Sequence, residues 1–109
     1  MPPQPEYVLV RDRARKILYL AKEEFDRGDY SITCFLVYLA KILLNYSMTL
    51  RLGVNPGKHV IDFNEIRDLL VKDDRDAART CLKEGFKALN SIDKLFMEKR
   101  EKECECWGE

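Results

Sequence analysis

The stretch that most constrains the fold runs from Tyr30 to Leu52, YSITCFLVYLAKILLNYSMTLRL, because it is apolar over almost its whole length. Its only charged residues are Lys41 and Arg51, whereas 35% of the whole chain is charged. It contains no proline or glycine that would break a helix. A helix that is apolar nearly all round must be covered by neighbours on more than one side. We therefore interpret residues 30–52 as the central helix of a small helical domain.

The length and charge of the chain exclude several other classes of protein. Its 109 residues suffice for one domain with one hydrophobic core, and its formal net charge is zero. Binding to duplex nucleic acid normally requires a basic stripe, so we expect no duplex partner. The N-terminal sequence MPPQPEY lacks the pattern of a signal peptide, and polar residues interrupt the central stretch too often for a typical membrane span. We expect a soluble, cytoplasmic protein with no membrane partner.

Three further segments carry apolar residues at spacings of three and four, which is the helical period. With the central stretch they predict four helices: Tyr7–Arg27, Tyr30–Leu52, Asp62–Val71 and Arg75–Lys102. Gly28 suits a left-handed helix end, and so short a connection makes the first two helices an antiparallel hairpin. Gly85, inside the last helix, costs about 1 kcal/mol relative to alanine and marks a close helix crossing.

The expected fold is all-α: an up-and-down antiparallel four-helix bundle with three long helices and one short one. The bundle is predicted to cover residues 7–102. Residues 1–6 are predicted to be a disordered lead-in, and residues 103–109 a frayed tail.

The central helix has two different sides when its residues are placed at about 100° intervals. We predict that one side forms the intramolecular core: Ile32, Phe35, Leu36, Leu39, Leu43, Tyr46 and Leu50. The opposite side mixes apolar, aromatic and polar residues: Tyr30, Cys34, Val37, Tyr38, Lys41, Asn45 and Met48. Such a composition is typical of a subunit interface or a ligand groove. The candidate interface or ligand-binding residues are therefore Tyr38, Lys41 and Asn45, with the nearby cations Arg51 and Lys58.

Residues that could perform chemistry are few. His59 is the only histidine, which favours local packing over a metal site or a nucleophilic triad. Cys104 and Cys106 lack the second pair of ligands that zinc sites use. The chain has no phosphate-binding loop, dinucleotide fingerprint or HExxH motif. We predict no metal site and no cofactor, and the only catalytic candidates are Arg51 and His59.

The order of these segments resembles a known family. The carrying sequences are AKEEFDRGDYSITCFLVYLAKILLNYSMTLRLG, then VNPGKHVIDFNEIRDLL, then AARTCLKEGFKALNSIDKLF, and together they span about residues 10–98. This pattern resembles the HEPN family of small helical proteins. The resemblance implies a bundle that often dimerises and a role in nucleotide or RNA biology. Many members pair with a minimal nucleotidyltransferase, frequently as toxin and antitoxin, and some are metal-independent ribonucleases.

The ribonuclease branch of that family carries an arginine followed by a histidine after four to six residues on a late helix. Here Arg51 and His59 are separated by seven residues across a Pro-Gly loop, and the last helix contains no histidine. The resemblance therefore favours the non-catalytic branch.

Three functional hypotheses follow from the sequence. The first is a non-enzymatic, prokaryotic HEPN-like homodimer that serves a nucleotidyltransferase or binds a nucleotide, with Tyr38 stacking on the base. The second is a degenerate HEPN ribonuclease or toxin that uses Arg51 and His59. The third is a purely structural helical adaptor.

Overall fold

A computed structural model describes residues 4–53, 62–71 and 73–107, with side chains up to residue 97. The described residues form four α-helices and no strand: α1 Glu6–Asp26, α2 Tyr30–Leu52, α3 Phe63–Val71 and α4 Arg75–Trp107. The predicted all-α bundle of three long helices and one short helix is confirmed. The bounds agree with the prediction to within one residue, except that α4 continues five residues beyond Lys102.

The predicted helix ends are formed by the expected residue types. Gly28, with φ 90°, and Gly53, with φ 71°, adopt the left-handed conformation that follows α1 and α2. The Asp62 carboxylate accepts hydrogen bonds from the backbone N–H groups of Asn64 and Glu65, at 2.9 and 3.3 Å. Asp62 is therefore the N-cap of α3, as the sequence predicts.

The three long helices share the core, and α2 is the helix that contacts all the others. Ion pairs and ring contacts join the start of α1 to the late part of α4, so these two helices are antiparallel. In the described part of the chain, α3 packs against α2 alone. The core consists of small and aliphatic side chains with one aromatic ring: Ala14, Leu18, Ala21, Val37, Ala40, Leu44, Leu89, Ile92 and Phe96.

Most of the side of α2 that we predicted to be the core was wrong, although its Leu36 and Leu43 do pack, partly buried, against the core. The buried residues of α2 are Thr33, Cys34, Val37, Ala40, Leu44 and Ser47. By contrast, Ile32 is 42% exposed, and Phe35 and Leu39 are only half-buried. Periodicity could not choose the correct side, because α2 is apolar nearly all round and closely packed helices select small residues at their contact.

Two hydroxyl groups in this buried stripe are satisfied by backbone carbonyls. Thr33 Oγ1 donates to the carbonyl of Asp29 at 2.8 Å, within the first turn of α2. Ser47 Oγ donates to the carbonyl of Tyr7 at 2.6 Å and so joins the end of α2 to the start of α1. Both side chains are fully buried, and an unpaired hydroxyl there would be costly.

Helical spacing alone does not make an apolar residue part of the core. The short helix α3 has no buried residue, and its Phe63 is 79% exposed. Leu95 of α4 fits the helical period but is 46% exposed. Gly85, in contrast, confirms its prediction: a Cβ there would lie 2.7 Å from Leu18 Cδ2 and 3.1 Å from Val37 Cγ1.

Candidate functional site

The structure brings three of the sequence-predicted site residues together in one cleft. Tyr38, Lys41 and Asn45 of α2 line a cleft of about 290 Å³. Two residues of α3, Glu65 and Leu69, form the opposite wall. The floor of the cleft is formed by Cys34, Val37, Ile42 and Cys81.

Two polar side chains of this cleft, Lys41 and Tyr38, contact other parts of the chain. Lys41 Nζ lies 3.1 Å from Glu84 Oε2 of α4, and the two side chains are 40% and 59% exposed. The backbone N–H of Asp62 donates to the hydroxyl oxygen of Tyr38 at 3.4 Å, beside the start of α3. Glu65 and Glu84 outnumber the single cation, so the cleft does not favour a phosphate group. These contacts join α3 and α4 to α2.

Arg51, a further predicted site residue, does not line this cleft. The Arg51 guanidinium lies 5.2 Å from the centre of the Tyr7 ring, at the opposite end of α1 from the hairpin turn. This contact is a cation–π interaction between α2 and α1. Lys58 and His59 lie outside the described residues, so the Arg51–His59 pairing stays a prediction.

An apolar surface lies on the outside of the α1–α2 hairpin, and its α2 residues are ones that the sequence assigned to the core. Its α2 residues are Ile32, Phe35 and Leu39, which point away from the buried stripe. Its α1 residues are Leu9 and Leu20, which are 47% and 50% exposed. Arg11, Arg15 and Tyr19 mark the flank of α1 that contacts α4, so Leu9 and Leu20 lie on the other flank, beside α2.

We name this surface, Leu9, Leu20, Ile32, Phe35 and Leu39, the hairpin face. Tyr38 and Lys41, which contact the start of α3 and Glu84 of α4, lie on another side of α2. The sequence does carry a signal for the hairpin face, because a helix that is apolar nearly all round needs neighbours on several sides, and the described residues form only three other helices.

The central helix α2 is long and apolar enough to cross a membrane by length and composition, with a mean hydropathy of 1.4 over its best window. Core helices of soluble proteins pass the same test, and one third of that window is buried in the bundle.

Within the described residues, no group of three or more histidine, cysteine, aspartate or glutamate side chains is arranged to hold a metal ion. The thiols of Cys104 and Cys106 lie outside the described side chains.

Comparison with known proteins gives no relative for this chain: no family model, no curated protein and no solved structure matches it.

Proposed function

We propose that this protein is a non-enzymatic, HEPN-like helical module that works as a homodimer and serves as a partner of other proteins. The observation that supports the proposal is the hairpin face. Three exposed aliphatic side chains, Leu9, Leu20 and Ile32, lie at the border of the same two-helix surface as the half-buried Phe35 and Leu39. Exposed apolar patches of this extent mark interaction sites in soluble proteins.

The α1–α2 hairpin, part of which carries the hairpin face, is long enough for a second copy of the chain to pack along it. The helices α1 and α2 have 21 and 23 residues, and at about 1.5 Å per residue each is roughly 30 Å long. Two adjacent helices about 10 Å wide give a footprint of roughly 600 Å². This is of the same order as the roughly 800 Å² per partner that a stable interface buries. A twofold axis through this surface would bury the same residues on both copies.

The cleft around Tyr38, Lys41 and Asn45 supports the homodimer less well than the hairpin face does. Its side of α2 is covered by α3, and Lys41 is paired with Glu84 of the same chain. We therefore move the proposed dimer interface from that side of α2 to the hairpin face.

The oligomeric state tests the proposal directly. Sedimentation velocity of the wild type at high micromolar concentration should give twice the 12.8 kDa mass of one chain. Ile32→Lys places a charge in the interface and should weaken dimerisation by at least roughly tenfold. Leu95→Lys is the matched control, because Leu95 is an equally exposed leucine on α4, away from the hairpin face. This variant should leave the dimer intact.

A monomeric wild type, or equal weakening by Ile32→Lys and Leu95→Lys, would contradict the dimer. Flotation of the monomeric wild type with lipid vesicles, lost in Ile32→Lys, would instead assign the hairpin face to a membrane surface.

The proposed partner class comes from the HEPN resemblance of the sequence. A minimal nucleotidyltransferase is the partner that this resemblance implies. Calorimetry with the purified nucleotidyltransferase and the wild-type dimer should show heat of binding. A complete lack of heat would leave the dimer without this partner and would favour the purely structural adaptor.

A further inference from the structure

The outer surface between α1 and α4 carries a row of cations beside three aromatic rings, of which Tyr19 is exposed. Two adjoining hollows of about 480 and 500 Å³ share Lys83 and Phe86 as a common wall. Five cations line the two hollows: Lys22, Arg79, Lys83, Lys87 and Lys94. Three aromatic rings, Tyr19, Phe25 and Phe86, and one carboxylate, Asp26, line them as well. We name this surface the α1–α4 groove.

The cations of the α1–α4 groove follow the helical repeat of α4. Arg79, Lys83 and Lys87 are each four residues apart, and Lys94 follows after two turns. Residues four apart lie about 6 Å from each other on one face, so the row is about 23 Å long. The electrostatic consequence is a continuous positive strip on a chain whose net charge is zero.

These cations are not neutralised by neighbours. Among the described residues, Lys22, Arg79, Lys83, Lys87 and Lys94 form no ion pair within 4 Å. The five cations and the one carboxylate that line the hollows give the groove a net charge of +4.

On α1, Asp26 lines the groove and Glu23 follows Tyr19 by one turn. The α4 carboxylates near the groove are engaged elsewhere or lie at its end. The Asp93 carboxylate pairs with Arg11 and Arg15, at 3.3 and 2.6 Å. The Glu84 carboxylate pairs with Lys41 on another side of α4. Asp76 lies at the very start of the row, one turn before Arg79.

The ring of Tyr19 is exposed beside these cations and is held by Phe86. Tyr19 is 54% exposed, and its ring meets the Phe86 ring edge to face, with centroids 5.6 Å apart. Phe86 therefore holds the Tyr19 ring in place while leaving half of it open beside Lys83. Cations in a row attract a phosphate backbone, and an exposed, fixed ring offers a surface on which an unpaired base can stack.

From this arrangement we infer that the α1–α4 groove binds single-stranded nucleic acid, with the α4 cations on the phosphates and Tyr19 stacked on a base. A single strand fits better than a duplex because only its bases are free to stack on a side chain. An acidic protein segment would use the cations but would leave the exposed tyrosine without a planar partner. This inference does not depend on the dimer, since the groove and the hairpin face lie on different flanks of α1.

The test measures binding by fluorescence anisotropy. The probes are a dye-labelled single-stranded RNA of about twelve nucleotides, the DNA of the same sequence, its duplex, and polyphosphate of matched length as competitor. The wild type should bind both single strands more tightly than the duplex. With about four phosphates contacted, log Kd should change with log salt concentration with a slope of about 3.

Two variants separate the charge row from the ring. Lys83→Glu with Lys87→Glu should reduce the salt slope by about half. Tyr19→Ser should weaken binding by roughly tenfold without changing the slope. Arg27→Glu with Arg67→Glu is the matched control, because it makes the same charge change on exposed residues that line neither the groove nor the hairpin face. Circular dichroism of each variant must show the wild-type helix content.

Three results would overturn the inference. The first is no binding of any single strand at low salt and high micromolar protein. The second is an equal loss of affinity in the control pair, which would show diffuse electrostatic attraction. The third is displacement by polyphosphate together with no effect of Tyr19→Ser, which would show a general polyanion surface without base stacking.

Discussion

Gly85→Ala should destabilise the bundle although alanine is the better helix former. In an exposed helix the change would gain about 1 kcal/mol of helix propensity. At this position the new Cβ would lie 2.7 Å from Leu18 Cδ2 and 3.1 Å from Val37 Cγ1. Distances of this kind require the neighbours to move.

The neighbours have no room to move, which sets the size of the effect. Leu18 is 0% exposed and Val37 is 1% exposed, so neither side chain can turn into solvent. Extra atoms in a well-packed core typically cost about 1–3 kcal/mol. After the gain in helix propensity, Gly85→Ala should lower the free energy of unfolding by up to about 2 kcal/mol.

The assay is urea unfolding followed by circular dichroism at one fixed protein concentration, because dimerisation would add to the measured stability. The midpoint should fall while the slope with urea stays unchanged, since the same surface is exposed on unfolding. Gly53→Ala is the control, because a Cβ there meets nothing within 4 Å and only the backbone φ of 71° is strained. Asparagine adopts a left-handed backbone more readily than alanine, so Gly53→Asn should be less destabilising than Gly53→Ala. At position 85 space is the limit, so the larger asparagine should be more destabilising than alanine.

A double-mutant cycle identifies the clash itself. Leu18→Ala removes the atom nearest to the new Cβ, so in that background Gly85→Ala should stabilise by about 1 kcal/mol. The reasoning is refuted if Gly85→Ala is as stable as the wild type, or if the coupling with Leu18 is below about 0.5 kcal/mol.

Three further substitutions test contacts that hold the helices together. Ser47→Ala removes a buried hydrogen bond to the first turn of α1 and should cost about 1 kcal/mol in urea unfolding, whereas Ser91→Ala, on an exposed hydroxyl, should cost almost nothing. Asp93→Asn weakens the ion pairs to two α1 arginines, and because the Asp93 side chain is 25% exposed, the free energy of unfolding should fall by about 1 kcal/mol. Glu84→Gln, at a side chain that is 59% exposed, should lower it by less than about 0.5 kcal/mol. Asp62→Ala removes the N-cap of α3 and should speed amide exchange in α3 while α1 keeps its protection; unchanged exchange would contradict the cap.

The sequence by itself determined the class of fold and nearly all of the helix bounds. Helical periodicity, the left-handed glycines and the capping aspartate act within a few residues of each other, so they can be read from a single chain. The close crossing at Gly85 was also predicted correctly, because a glycine inside a helical pattern is a local signal.

Only the tertiary structure decided which side of α2 is the core and which surfaces are left open. A helix that is apolar nearly all round has no preferred side until its neighbours are placed. Packing against α1 and α4 then buried the side with Val37, Ala40 and Leu44. The same placement left Ile32 outside and paired Lys41 with Glu84, 43 residues along the chain. The α1–α4 groove likewise needs two helices side by side, because its tyrosine and its lysines are far apart in sequence.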